Sequence, residues 1–205
     1  MTVALGDPYA TAEEFRARMS LVEDEELDES ESGRIDTVLD AASREIESYC
    51  RRQFNQTDTT SARVYRPRSP RLLVVDDFHT TDGLVVATGT DGTYPTTWTA
   101  YQLEPANGIV SGQTGWPYWR LRPTGGRWFD VCGQPTVQVT AQWGWAAVPA
   151  AVKEACLIAA AELFKLGDAP FGVAGFGEFG PVRVRMNSRA QTLLAPYRLA
   201  PILVG

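Results

Sequence analysis

The chain has 205 residues, of which 44% are hydrophobic and 21% are charged, a balance typical of a globular protein with one sizeable domain or two small ones. No apolar run approaches the roughly 20 residues of a membrane span, and the N-terminal residues lack the basic and apolar regions of a signal peptide, so we expect a cytoplasmic origin. The net charge of −6 leaves no basic stripe of the kind that tight nucleic-acid binding requires.

Residues 8–54 are predicted to be helical. Thr11 and Glu14 form a capping-box pattern at the start of a first helix. A second, longer helix places its apolar residues at steps of three and four, which defines one buried stripe. That stripe consists of Ile35, Val38, Leu39, Ala42, Ile46 and Tyr49. We expect this helix to end near residues 52–54.

An acidic segment, residues 23–31 with the sequence EDEELDESE, separates the two helices. It holds seven acids, and without them the net charge of −6 becomes +1. Such a block is typical of a solvated loop or helix approach. The alternative is an acidic surface that repels DNA phosphates.

In residues 60–145 apolar and polar residues alternate with a period of two, and turn residues interrupt the alternation. This pattern predicts a small antiparallel β-domain. The strand candidates are 62–66, 72–75, 84–88, 98–103, 118–122 and 136–143. Aromatic residues in a small β-domain more often form core and cross-strand contacts than ligand-stacking platforms. We therefore expect the tryptophans of this zone to form one face of its core, namely Trp98, Trp116, Trp119 and Trp128.

The C-terminal residues return to helix. Pro149 suits the first turn of a helix over residues 148–166, whose apolar positions cover more than half the circumference and predict burial. A loop rich in phenylalanine and glycine follows, and then a short alternating strand, Val182–Arg185. Ser188 and Gln191 form a second capping-box pattern for a short helix that Pro196 ends.

These elements predict an α+β fold. The N- and C-terminal segments form a helical bundle, and a small antiparallel β-domain is inserted between the long helices. The expected divisions are residues 1–58, 59–146 and 147–205, with the first and last packing as one helical domain.

Known catalytic and binding motifs fail their structural requirements. The string at 175–180, GFGEFG, matches the dinucleotide fingerprint, but it follows a helix and precedes a strand, the reverse of what pyrophosphate binding needs. His79 is the only histidine, and adjacent strand positions send Asp76 and Asp77 to opposite faces. We therefore expect no catalytic, cofactor or metal site, and we expect the three cysteines to be buried, unpaired residues.

Four stretches of the chain carry a resemblance to a known family. In order they are DPYATAEEFRARM with IDTVLDAASREIESYCRRQF; RVYRPRSPRLLVVDDFHTTDGLVV with YQLEPANG; QWGWAAVPAAVKEACLIAAAELFKLGDAPFGVAGFGEFGPVRVR; and LLAPYR. Together they resemble the head–tail connector (adaptor) proteins of long-tailed bacteriophages, especially those of phages that infect actinobacteria. The resemblance covers nearly the whole chain, and the acidic segment is its clearest departure.

The resemblance implies a structural protein of the virion, made in the bacterial host cytoplasm, without enzymatic activity or cofactor. Such proteins form a ring, commonly dodecameric, under the portal protein. The ring extends the DNA channel, through which DNA passes without sequence-specific binding, and offers a docking surface to the stopper or tail-completion protein.

The resemblance also implies roles for two segments. The loop 171–181 and the strand after it would contact neighbouring subunits, through Phe171, Phe176, Phe179, Val182, Arg183, Val184 and Arg185. The apolar tail would dock on the portal, through Tyr197, Leu199, Ile202 and Leu203. Two alternatives stay open: another virion completion protein such as a stopper, and a β-domain hydrolase or glycan-binding protein that uses His79 with Asp76 or Asp82.

Overall fold

The computed structural model describes residues 6–19, 29–167 and 187–199. Four α-helices and two antiparallel sheets are present in these ranges, which confirms the α+β class. The chain divides into two compact units. The β unit is Gln53–Ala147, and the helical unit combines Gly6–Arg52 with Val148–Ala200.

The helical unit begins with α1 (Ala12–Met19) and α2 (Glu29–Cys50). The capping box ahead of α1 is confirmed, because the Thr11 N–H donates to Glu14 Oε2 over 2.9 Å and the Glu14 N–H donates to Thr11 Oγ1 over 3.1 Å. Helix α2 ends at Cys50, slightly earlier than the sequence predicts. Arg51 takes a left-handed φ of 55°, which stops the helix.

The buried stripe of α2 is largely confirmed. Ile35, Leu39, Ala42 and Ile46 are fully buried, whereas Val38 and Tyr49 at its margin are half-buried. The stripe packs mainly on α3 (Ala150–Gly167), which starts directly after Pro149. The Pro149 carbonyl accepts the first helical hydrogen bond, from the Lys153 N–H over 3.0 Å.

Helix α4 (Ser188–Leu194) packs on α3 and continues into a 3₁₀ turn, Ala195–Tyr197, that contains Pro196. The capping box predicted from Ser188 and Gln191 is wrong. The N-cap is Asn187, whose Oδ1 accepts from the Arg189 N–H over 2.7 Å. An asparagine side chain is short enough to reach the second helical N–H itself, so no reciprocal partner is needed.

The β unit contains two antiparallel sheets. One has the strand order β1-β7-β3-β4 and the other β2-β6-β5. The strands are β1 (Ser61–Tyr65), β2 (Leu73–Phe78), β3 (Val85–Thr88), β4 (Thr96–Thr97), β5 (Tyr101–Glu104), β6 (Tyr118–Pro123) and β7 (Val137–Ala141). Six of them fall within the predicted segments or shift by a few residues. The two-residue β4 was not predicted.

The core of the β unit draws on both sheets, with Phe78, Leu121, Val139 and Trp143 among its buried residues. Trp98, Trp116 and Trp119 are buried as predicted, but Trp98 alone of these belongs to that core. The burial predicted for Trp128 is wrong, since 55% of its surface is exposed. It lies on a loop, where the Arg71 guanidinium stacks on its indole ring at 4.9 Å from the centroid.

Candidate assembly surfaces

The predicted subunit-contact residues Phe171, Phe176, Phe179 and Val182–Arg185 lie outside the described residues. Their flanks are described, and both are fixed to α3. The Asn187 amide Nδ2 donates to Glu162 Oε1 over 2.5 Å, which holds the start of α4 beside the last two turns of α3. The chain therefore leaves and returns at the same end of α3.

That end of α3 is held by a three-helix contact. Phe164 is 6% exposed, and its ring meets the fully buried ring of Phe15 on α1 edge-on, with centroids 5.5 Å apart. The Arg34 guanidinium of α2 lies 4.1 Å from the centre of the Phe164 ring and donates to the Phe164 carbonyl. A cation at this carbonyl also suits the negative end of the helix dipole. The predicted contact segment thus departs from a rigid base.

The predicted docking tail, from Tyr197 onward, begins beside the C-terminal end of α2. The Leu199 N–H donates to the Cys50 carbonyl over 3.0 Å, so the tail starts against the C-terminus of α2. The Arg198 guanidinium lies 5.3 Å from the centre of the Tyr49 ring. Tyr197 is half-buried, and this burial raises the pKa of its phenol. Ile202 and Leu203 lie outside the described residues.

In the β unit, one face of the four-stranded sheet carries no charged side chain over strands β1, β3 and β7. Val64 pairs with Gln138, and Val85 pairs with Thr140, so these four side chains share that face. Val64 is 52% exposed and Val85 is 44% exposed. Exposed valines on an uncharged sheet face are a candidate contact surface.

A second surface of the β unit combines arginines with an exposed tryptophan. We name it the arginine–tryptophan patch and define it by Arg66, Arg68, Arg71, Arg127 and Trp128, all of which are exposed. Its two loop segments are joined by a hydrogen bond from the Phe129 N–H to the Pro70 carbonyl over 2.9 Å. Its two halves are far apart in the chain, so no local pattern in the sequence predicts the patch.

A groove of about 480 Å³ borders the patch. Arg127 and Trp128 line it together with Thr90, Trp98 and Asp130. The indole N–H of Trp98 has no acceptor among the described residues. Arg127 and Trp128 thus belong to both the groove and the patch.

Asp76 and Asp77, close to His79 in the chain, form structural contacts. Asp76 accepts from Arg63 Nη1 over 2.7 Å and from the Tyr65 hydroxyl over 2.9 Å. Asp77 is buried and accepts from the Trp145 indole N–H over 2.9 Å. The two side chains therefore separate as strand alternation predicts. Burial lowers the pKa of His79, which favours its neutral form.

Neither a metal site nor a membrane span stands out in the described ranges. No three His, Cys, Asp or Glu side chains gather there as a metal site would need. Of the helices that the structure describes, none has the length and apolarity to cross a bilayer.

Neither a protein-family model nor a curated protein matches the chain. Solved structures do. A chain in the neck of an empty gene transfer agent (GTA) particle, computed with C6 symmetry, is 16% identical with a TM-score of 0.59, over 100% of this chain and 99% of that one. The chain shares the fold of this neck protein. A chain in the neck of a native GTA particle, computed with C12 symmetry, has a TM-score of 0.57 at 16% identity, over 100% and 99% of the two chains. A chain of the native GTA virion has a TM-score of 0.56 at 16% identity, over 96% and 93%.

Proposed function

We propose that this chain is a structural head–tail connector (adaptor) of a tailed bacteriophage. The observation that carries the proposal is the fold similarity, which spans the whole length of a chain in the neck of a phage-like particle. Structural similarity at 16% identity supports a shared fold. The proposed function therefore also rests on the order of elements in the sequence, which resembles that of the connector family. The chain would lie at the head–tail junction of the virion.

The number of copies in the ring is proposed from symmetry. One similar neck was computed with C6 symmetry and another with C12 symmetry. A ring of twelve copies obeys both operators, whereas a ring of six obeys only the sixfold one. The two symmetries therefore support a dodecamer of this chain.

Two segments would make the ring's contacts. The chain leaves α3 after Gly167 and returns at Asn187, so residues 171–185 would reach a neighbouring subunit from a fixed base. Burying apolar surface there stabilises the contact by about 25 cal/mol per Å², offset by the entropy of ordering the segment. The tail from Tyr197 onward, anchored at Cys50, would dock on the portal.

DNA would pass through this ring without sequence-specific contacts. A chain with a net charge of −6 attracts phosphates weakly, which suits a channel through which DNA must slide. The stopper or tail-completion protein would dock on the ring's other side.

Reconstitution with the portal tests the proposal. The full chain and its cognate portal are mixed, separated by size exclusion and imaged by electron microscopy. We expect a ring of this chain on the portal. Deletion of 171–181 should leave a folded chain, with the circular dichroism of the full protein, that no longer forms rings.

A matched variant separates the loop from the tail. Truncation after Leu199 should weaken portal capture and leave subunit contacts at high concentration intact. Wild-type ring formation by the 171–181 deletion would refute the subunit-contact role. No portal binding by the full chain would refute the connector role.

A stopper-like neck component is the second candidate, because a neck computed with C6 symmetry also admits a sixfold ring. Capture assays against purified portal and against a preassembled portal–connector complex distinguish the two. A stopper would bind only the complex, whereas a connector would bind the portal alone.

A further inference from the structure

We propose that the arginine–tryptophan patch of one copy binds the acidic segment, residues 23–31, of a second copy of this chain. The inference names a contact within the proposed ring and so rests on the proposed function. It is carried by the described geometry of the patch and by the charge of the segment that would meet it.

The arginines of the patch have no carboxylate partner in the part of the chain that the structure describes. Arg66, Arg68 and Arg127 form no ion pair there, and Arg71 stacks on Trp128 instead. Two other arginines of the same unit are paired. Arg63 donates to Asp76 over 2.7 Å, and Arg122 donates to Glu104 through two hydrogen bonds, of 2.7 and 3.4 Å. The paired arginines stabilise the fold, whereas the arginines of the patch are available to bind a partner.

The patch also has the residue types of a protein-binding surface. Tryptophan and arginine are the residues that most often dominate binding energy at protein interfaces. Trp128 is 55% exposed and already oriented by the Arg71 guanidinium, so little ordering entropy remains to be lost on binding. The two loop segments, residues 66–71 and 127–130, contain four arginines and a single acid, Asp130, so they carry a net positive charge.

The acidic segment of a second copy is the best-matched occupant in charge. It concentrates seven carboxylates, and without it the rest of the chain carries +1. A head-to-tail ring contact joins two different surfaces of the same chain, so one copy must carry both halves of a complementary pair. The patch and the acidic segment are such a pair, because one is cationic and the other is the strongest acidic concentration in the sequence.

DNA is the less favoured occupant. The patch is one small cluster on loops rather than a stripe along an element, and the whole chain carries a charge of −6. Long-range repulsion from the remaining acids would oppose the approach of a phosphate backbone.

Isotope-coded cross-linking tests the contact directly. Arg68, Arg71 and Arg127 are replaced by lysine, which keeps the charge and adds amines that a carbodiimide can join to carboxylates. The variant is prepared in ¹⁴N and ¹⁵N forms, mixed, cross-linked both alone at high concentration and after assembly with portal, and analysed by mass spectrometry.

We expect links between the introduced lysines and the peptide that contains residues 23–31, with mixed isotopes that mark two copies. Arg122→Lys is the matched control, because this residue is also exposed but lies beside Glu104 and should link to it within one copy. Links of the patch to 23–31 within single-isotope pairs alone, or no such links in either sample, would overturn the proposal.

Charge reversal supplies a second readout. Replacing Arg68, Arg71 and Arg127 by glutamate should weaken association between copies by about tenfold or more at low salt, since each exposed pair contributes modestly and several act together. Lysines in place of the acids of 23–31 in the same chain should restore it. Circular dichroism checks that the variants fold.

A labelled DNA duplex and a labelled single strand form the competing arm. Anisotropy titrations should show no binding by the wild type at about 0.15 M salt, where charges are screened within about 8 Å. DNA binding that the glutamate variant loses, without mixed-isotope cross-links, would make the patch a nucleic-acid surface. Failure to assemble with portal while mixed-isotope links still form would refute the connector role and leave this contact standing.

Discussion

Phe164 is the residue whose loss should most damage the base of the proposed contact segment. Its ring is 6% exposed and joins three helices, since it meets Phe15 of α1 edge-on and lies under the Arg34 guanidinium of α2. Phe164→Ala removes the ring and leaves a cavity between these neighbours. Phe164→Leu, the matched control, keeps apolar volume and loses the aromatic contacts alone.

The expected cost follows from those contacts. Truncating a buried phenylalanine to alanine costs about 3–5 kcal/mol. The edge-on ring pair accounts for about 0.5–1.5 kcal/mol of such a loss, and the half-exposed cation–π contact for about 0.5–1 kcal/mol. Phe164→Leu should therefore cost about 1–2.5 kcal/mol, because it loses these two contributions and little volume.

Urea unfolding can follow the two units separately. All six tryptophans lie within Gln53–Ala147, so their fluorescence reports on the β unit, whereas circular dichroism at helical wavelengths reports mainly on the helical unit. With slopes of about 1–3 kcal/mol per M, Phe164→Ala should lower the dichroism midpoint by about 1 M or more. Phe164→Leu should produce less than half of that shift.

Equal midpoints for wild type and Phe164→Ala would refute the assignment of Phe164 to the core of the helical unit. A larger effect of leucine than of alanine would show that the site is limited by shape rather than by lost burial.

Three further predictions concern single groups. Asn187→Ala should destabilise α4 by about 0.5–2 kcal/mol in urea unfolding, whereas Asn187→Ser should retain most of the cap; equal losses would assign the effect to the Glu162 hydrogen bond instead. Burial raises the pKa of Cys50 to about 12 and also raises that of Cys156. Cys132 is exposed, so the burial expected of all three cysteines is wrong for this one. A thiol reagent at mildly alkaline pH should therefore label one cysteine quickly in the native protein and all three in denaturant; rapid labelling of two would contradict this. Burial lowers the pKa of His79 below 6.5. The stability that neutral His79 contributes is therefore complete above pH 6.5 and is lost as the pH falls through the folded-state pKa. The signal of this single histidine in a proton NMR titration should have its midpoint below 6.5, and a midpoint above 6.5 would refute the burial argument.

Local patterns in the sequence predict the helices well. Thr11 and Glu14 lie three residues apart and bond reciprocally, because a capping box needs only the residues within one turn. At α4 the sequence pattern favours Ser188 as the cap, but Asn187, one residue earlier, forms the bond. The Asn187 amide also donates to Glu162 on another helix, and no local sequence pattern predicts this contact.

The β unit shows where local patterns stop. Tryptophan is usually well buried, yet Trp128 lies at the surface. There it stacks with Arg71, which is distant in the chain. Strand β4 has two residues and no measurable period, so only its pairing with Ala87 and Thr88 defines it. The arginine–tryptophan patch escaped prediction for the same reason, since a loop contact between Pro70 and Phe129 creates it.

Of the predicted contact residues, the structure describes Tyr197 and Leu199. Tyr197 and Leu199 lie at an anchored end of the helical unit, where the Leu199 N–H satisfies a carbonyl at the end of α2. Residues 171–185 remain a prediction from the resemblance, and the structure describes the two ends from which that segment starts. The role of both segments therefore depends on partners rather than on contacts within the chain.

Cryo-electron microscopy of the neck of the particles that carry this chain tests the connector role most directly. We expect twelve copies in a ring directly under the portal, with residues 171–185 ordered against a neighbouring subunit. Density for this chain at a different level of the tail axis, or its absence from the particle, would contradict that role.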